Sequence, residues 1–193
     1  MKINFLISIF ILLFNFSNSQ TIKDFFIPKK GLKTAVFKQD GRITDTLIYS
    51  KQDSIYIINI KLENITITYK YKITNDEVIQ ILWQSEGDGY IESENFNTVE
   101  LKMPKKDSIV EWIFNDRGEY NSCKAELTEI NINNEIKKAI KVTYKTYLNN
   151  NIKSNIKEWY TIQYYVEGLG FYRRERCSNT GQFGSLEELD KIE

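Results

Sequence analysis

Few residues in this chain are equipped for covalent or acid–base chemistry. Histidine is absent from all 193 positions. Its absence removes every Ser-His-Asp triad, every Cys-His pair and every His-ligated zinc or iron. Carboxylate, tyrosine, lysine and thiol chemistry remain. Asp88, Glu92, Glu94 and Glu167 are the acids that fall near aromatic residues. A carboxylate-dependent hydrolase would need two of them about 5 Å or ~6.5–9.5 Å apart in one cleft. Ser85-Glu86-Gly87-Asp88-Gly89, with Glu92 and Glu94 beyond it, is also an oxygen-rich stretch of the kind that can hold calcium. It lacks the Asp-x-Asp-x-Asp-Gly spacing of an EF-hand, so a solvated turn between strands is the simpler reading. The expectation is a protein with no metal site, no cofactor and no enzymatic role.

Cys123 and Cys177 are the only cysteines. A nucleophilic thiol usually depends on a neighbouring imidazolium, which this chain lacks. In an oxidising compartment the two can pair as a disulfide, worth roughly 4 kcal/mol in the chain-entropy model; the alternative is two free thiols. Arg173, Arg174 and Arg176 form a basic cluster that is either an anion site or a polar outward face.

Aromatic residues are more plentiful, at 13% of the chain. Trp83, Trp112, Trp159, Tyr164 and Phe171 are spread over several predicted strands, together with Tyr69, Tyr71 and Tyr144. Such rings either fill a core or line a cup inside a half-closed barrel, where they would meet a lipid or another apolar ligand.

The elements that must position these side chains are strands. The organising stretch runs from Glu158 to Arg174. Tyr160, Ile162, Tyr164 and Val166 fall on one face of an extended chain, and Trp159, Thr161, Gln163 and Tyr165 on the other. The first face is apolar and the second mixed, and both carry rings, which suggests a strand covered on both sides or one opposite a cavity. Gly168 and Gly170 supply the positive φ of a tight turn. A Gly-x-Gly turn that cradles phosphate feeds a helix, whereas Phe171-Tyr172 resume a strand, so nucleotide binding is set aside.

The pattern Trp159-Tyr160, Tyr164, Gly168-x-Gly170-Phe171 resembles the late strand pair of a group of uncharacterised secreted bacterial β-rich proteins. Phe25-Phe26-Ile27-Pro28 with Gly31 and Phe37 is similar to their opening segment. Leu101-Lys102-Met103-Pro104 followed by Trp112 is similar to their middle strand. The resemblance implies a secreted β-domain and assigns no catalytic residue.

Elsewhere the period-two signal is regular. Ile65, Ile67, Tyr69, Tyr71 and Ile73 alternate with Thr66, Thr68, Lys70, Lys72 and Thr74, as in an antiparallel sheet with one wet face. Strands are predicted at 34–38, 43–49, 54–62, 77–83, 97–103, 108–114, 120–132 and 139–148, with Asp40-Gly41 and Asn133-Asn134 among the turns. Ser185 three residues before Glu188 reads as a capping box, which predicts a short C-terminal helix or a tail. No linker divides residues 20–193. The fold class is all-β: a single curled antiparallel meander, closed into an open barrel or folded as a sandwich.

Met1-Lys2, the apolar run Ile3–Phe16 and the small residues Ser17-Asn18-Ser19 read as a secretory signal peptide over residues 1–19. The run of about 14 residues is shorter than the roughly 20 a bilayer span needs, and no later segment qualifies. Lysine plus arginine and aspartate plus glutamate both number 26, so no basic excess points to nucleic acid. The chain reads as a secreted or periplasmic, non-enzymatic β-domain that binds an apolar ligand, such as a lipid, or an envelope protein. The alternatives are an assembly component that pairs through a sheet edge and the carboxylate hydrolase.

Overall fold

Alternating side chains leave a strand with one face to bury, and twelve such strands form one antiparallel sheet. The computed structural model describes residues 20–29, 34–40, 42–62, 64–116, 119–147, 159–178 and 183–192. The leader predicted at 1–19 lies outside them. A short helix α1 (Ile22–Phe26) precedes the strands β1 (Thr34–Gln39), β2 (Arg42–Gln52), β3 (Ile55–Lys61), β4 (Ile65–Ile73), β5 (Glu77–Gly87) and β6 (Tyr90–Lys102). The second half supplies β7 (Ile109–Asp116), β8 (Glu119–Ile132), β9 (Glu135–Tyr147), β10 (Trp159–Val166), β11 (Gly170–Ser178) and β12 (Phe183–Ile192).

Sheet order is β6-β5-β4-β3-β2-β1-β12-β11-β10-β9-β8-β7. The meander therefore curls until β1 pairs with β12, and the ladder stops only between β6 and β7. The result is a nearly closed barrel; the sandwich alternative is not formed. Bulges at Val36/Lys38, Gln80/Leu82 and Tyr164/Tyr165 bend the strands, as closure of a twisted sheet requires. The hairpin turns follow their residues. Asp88 (φ 49°) with Gly89 (φ 77°), and Asn133 (φ 51°) with Asn134 (φ 67°), are both left-handed at two successive positions, the conformation that matches strand twist. Strands β5 and β6 run longer than the sequence suggests, to Gly87 and from Tyr90.

Two elements differ from expectation. The predicted C-terminal helix is strand β12. Its residues pair with β1 (Phe37 with Leu189, Lys38 with Glu188) and with β11 (Arg173 with Glu188, Arg174 with Glu187). Two ladders satisfy more backbone groups than one helical turn would, so the local capping signal loses. Conversely, the segment before β1 contains α1, whose Asp24 carboxylate accepts from Thr21 N at 2.9 Å and Thr21 Oγ1 at 3.2 Å.

Helix α1 floors the barrel. Ile22 and Phe25 are fully buried and Phe26 nearly so, each contributing roughly 1.5–3 kcal/mol of apolar burial. Ile22 N donates to Asn75 O at 3.2 Å, which ties the helix to the β4–β5 turn. The glycine turn holds its other side. Gly168 N donates to Asp24 O at 2.7 Å, and Lys29 N donates to Gly168 O at 2.9 Å. Lys29 Nζ reaches Glu167 Oε1 at 2.8 Å, and Gln20 Nε2 donates to Glu167 Oε2 at 2.7 Å. A Cβ on Gly170 would lie 3.0 Å from Phe26 O, at φ 80°. Glycine is required there both for conformation and for the approach of the helix.

Candidate ligand-binding site

Above the floor the barrel is hollow. A cavity of about 150 Å³ lies on α1, walled by Phe26, Tyr71, Tyr165 and Phe171. A second cavity of about 360 Å³ continues toward the opposite end, where Phe114, Asn121, Thr161 and Arg176 contribute. Tyr69, Gln80, Glu100, Gln163 and Arg174 line both, so the two cavities adjoin. Together they reach the size range of small-molecule pockets, roughly 300–1,000 Å³.

The inner part is aromatic. Phe26 meets Tyr71 edge-on at 5.1 Å between centroids and stacks on Tyr165 at 5.9 Å. Phe171 packs on Phe37 at 5.1 Å and Tyr165 at 5.8 Å. Burial pushes the hydroxyls of Tyr49, Tyr71, Tyr144 and Tyr165 well above the ordinary phenol value, so they act as neutral hydrogen-bonding groups.

Charged groups border the inner cavity too: Asp45, Glu100 and Arg174 are among its walls. Arg174 Nη1 lies 3.2 Å from Glu187 Oε2, and the Arg174 guanidinium sits 5.3 Å from the Phe171 ring centroid. Thr44 Oγ1 donates to Glu187 Oε1 at 2.9 Å. Asp45 shares a hydrogen bond with Glu187. Burial first, then that neighbouring carboxylate, push Asp45 up to about 6, against the pull of Arg174. Two carboxyls in direct contact share a proton more readily than they both ionise.

The predicted site residues are dispersed. Phe171 lines the inner cavity. Trp112 is 8% exposed and spent on the seam: its Nε1 donates to Val99 O at 2.8 Å, between β7 and β6. Trp83 is half-buried and pairs across the sheet with Tyr69, which lines both cavities, so it shares that inward row without walling either one. Trp159 opens β10 opposite Ser178, and its side chain lies outside the described residues. Tyr164 is a correction. It is on the outer face of β10, where the Arg173 guanidinium lies 4.8 Å from its ring centroid. The other face of the strand, with Thr161, Gln163 and Tyr165, lines the hollow. A polar hollow, not an apolar core, decides which face turns in.

The disulfide is also corrected. Register places Cys123 in a row with Tyr144, Thr161 and Arg176, and Cys177 in the adjacent row with Tyr160, Lys145 and Ser122. Adjacent rows point to opposite faces of the sheet. Three strand spacings of about 4.8 Å separate the two positions, whereas a bridge needs Cα atoms within ~7 Å. Both thiols are free and buried, and burial pushes the Cys123 thiol far above its ordinary value.

The four acids named for a hydrolase share no groove. Asp88, Glu92 and Glu94 are exposed on the β5–β6 hairpin, while Glu167 anchors the floor helix at the other end. No group of three metal-ligating side chains occurs among the described residues. The arginine cluster divides: Arg173 faces out over Tyr164, while Arg174 and Arg176 line the cavity. The carboxyl pair that does face the hollow, Asp45 with Glu187, is far apart in sequence and carries no local motif. Only the β2–β1–β12 pairing brings it together.

Comparison with known proteins adds a fold likeness. No family model and no curated protein matches the sequence. Among solved structures, an exported protein with a YmcC-like fold from Bacteroides fragilis aligns over 88% of this chain and 99% of its own, at 12% identity and a TM-score of 0.39. A lipoprotein from Parabacteroides distasonis aligns over 88% and 98%, at 12% identity and a TM-score of 0.42. At these values the likeness extends to neither site nor function.

Proposed function

We propose that this chain is a secreted or periplasmic binding protein without a catalytic role, and that its barrel is a cup for a small molecule bearing both apolar and polar surface. The observation that carries the reading is the pair of adjoining cavities, which combine aromatic walls over the α1 floor with arginine, glutamine and carboxyl groups. Apolar walls with a few placed polar groups are the usual composition of a ligand site. Export is supported by the leader-like residues 1–19, and the lack of histidine supports a non-enzymatic role. Kinship with the secreted β-rich proteins that its motifs resemble belongs to the same proposal. The test is fluorescence titration with N-phenyl-1-naphthylamine, a neutral apolar probe. Saturable uptake is expected, and a flat titration of folded protein would end the cup reading. Amino-terminal sequencing of protein expressed with residues 1–19 tests export, with Gln20 expected first.

One feature favours a second reading, a partner strand added at the edge. Strand β6 ends the sheet, and Tyr90–Asn95 are exposed along it. Tyr90 is 67% and Ile91 61% exposed, near exposed Leu62 and Ile65 of the adjoining hairpin. An unpaired edge with apolar side chains is a template for another strand, although Glu92 and Glu94 blunt it. Co-purification of a partner lost on Ile91→Lys would support this reading, and an unchanged partner would remove it.

A further inference from the structure

One polar group of the cup has no hydrogen-bond partner among the described residues. Tyr49 is 3% exposed, lines the inner cavity, and its Oη has no hydrogen bond. A buried hydroxyl left unsatisfied is destabilising, so its persistence in a native fold calls for a partner. Arg176 lines the outer cavity and stands outside the ion pairs formed by the other cavity arginine. Arg174 and Arg176 are two apart on the inward face of β11, so their side chains are neighbours about 7 Å apart along the strand. Arg174 is braced by Glu187 at 3.2 Å and held beside the Phe171 ring at 5.3 Å. Braced in this way, it presents its remaining N–H donors at the junction of the two cavities. Among the charged residues lining the outer cavity, two arginines face one acid, Glu100.

Building on the cup reading above, we propose that the ligand is an elongated organic anion. Its acidic group, a carboxylate or a phosphate, lies against Arg176 and Arg174 in the outer cavity. Its apolar body runs along Tyr69, Tyr71 and Phe171, and an oxygen at its far end accepts the Tyr49 hydroxyl. Guanidinium groups match planar or tetrahedral oxyanions with several parallel donors. A buried donor at the far end selects against ligands that end in a plain methyl group, because such an end leaves the hydroxyl unpaired.

The experiment is displacement of N-phenyl-1-naphthylamine from the full chain by dodecanoate, 12-hydroxydodecanoate and dodecyltrimethylammonium, each below its micelle concentration. Dodecanoate is expected to displace the probe at about tenfold lower concentration than the ammonium compound, with Arg176→Gln reducing that advantage by about tenfold. In the native chain 12-hydroxydodecanoate should outcompete dodecanoate severalfold, and Tyr49→Phe should erase that preference. Arg176 is exposed at the mouth, so its replacement leaves the fold intact. If the probe binds but both charged compounds displace it equally, or Arg176→Gln leaves their ratio unchanged, the anion assignment is overturned while the cup stands. If Tyr49→Phe retains the hydroxyl preference, the placement of the far end is wrong. A probe that is never taken up removes the cup itself.

Discussion

The indole Nε1 of Trp112 donates to the carbonyl of Val99 at 2.8 Å, joining β7 to β6 where the sheet has no ladder. Tyr144 Oη, reaching from β9, donates to the neighbouring Glu100 carbonyl at 3.2 Å. Side chains thus do at this seam what backbone amides do elsewhere in the wall. Trp112→Phe keeps most of the ring and removes the donor. The expected cost is about 1–2 kcal/mol, measured as a lower urea midpoint. Amide exchange should speed up along β6 and β7 more than along β2 and β3.

Gly170→Ala should destabilise by about 1–3 kcal/mol, because alanine is strained at positive φ and its Cβ would press on the Phe26 carbonyl. The α1 floor should loosen with it. Limited proteolysis near Lys29, compared with the native chain, reads this directly. Equal cleavage and equal stability would show that the turn does not hold the helix.

The pH dependence of stability contains an Asp45 contribution of definite sign. Its folded value is raised from 3.8 to about 6 by burial and by Glu187, with Arg174 opposing. The folded protein therefore binds more protons than the unfolded chain between these values. The contribution is fully present below pH 3.8 and is lost as the pH rises through about 6. Asp45 is half-buried, so solvent screening reduces the effect to about 1 kcal/mol. Asp45→Asn should remove this slope and stabilise the chain at pH 8 relative to the native sequence. The difference between the two melting curves from pH 4 to pH 8 checks it.

Neither cysteine should respond to redox conditions. Cys123 is buried with its thiol held neutral, and Cys177 is buried on the opposite face. A thiol reagent should label neither rapidly in native protein and both in urea. Reductant should leave the melting temperature unchanged; a drop of several degrees would mean a bridge exists.

The strand pattern was legible because Ile65 to Thr74 and similar runs alternate strictly, and because Asp88-Gly89 and Asn133-Asn134 tolerate left-handed backbone. The side of the sheet that faces in was not legible at β10. Both faces carry rings, and a hollow barrel reverses the rule that the more apolar face turns inward. Ser185 and Glu188 advertised a helix start, but the pairing of β12 with β1 joins residues about 150 positions apart, beyond any local signal. The cysteines failed for a related reason: spacing in sequence says nothing about row parity across three intervening ladders. The site itself was partly visible. Phe171 and the arginines stood out by type, while Tyr49 and Asp45 looked like ordinary strand residues and Glu187 fell in the segment expected to be a helix or tail.

Because the wall is interrupted between β6 and β7 and not between its first and last strands, β1 waits for its second neighbour until β12 is available. Such distant pairings carry a large loop-closure penalty and form slowly. Until then the first half presents an unsatisfied edge to any other strand nearby, a hazard for a chain emerging from a ribosome or a translocation pore. A chaperone that shields β1 during biogenesis would protect the one junction that local contacts cannot make.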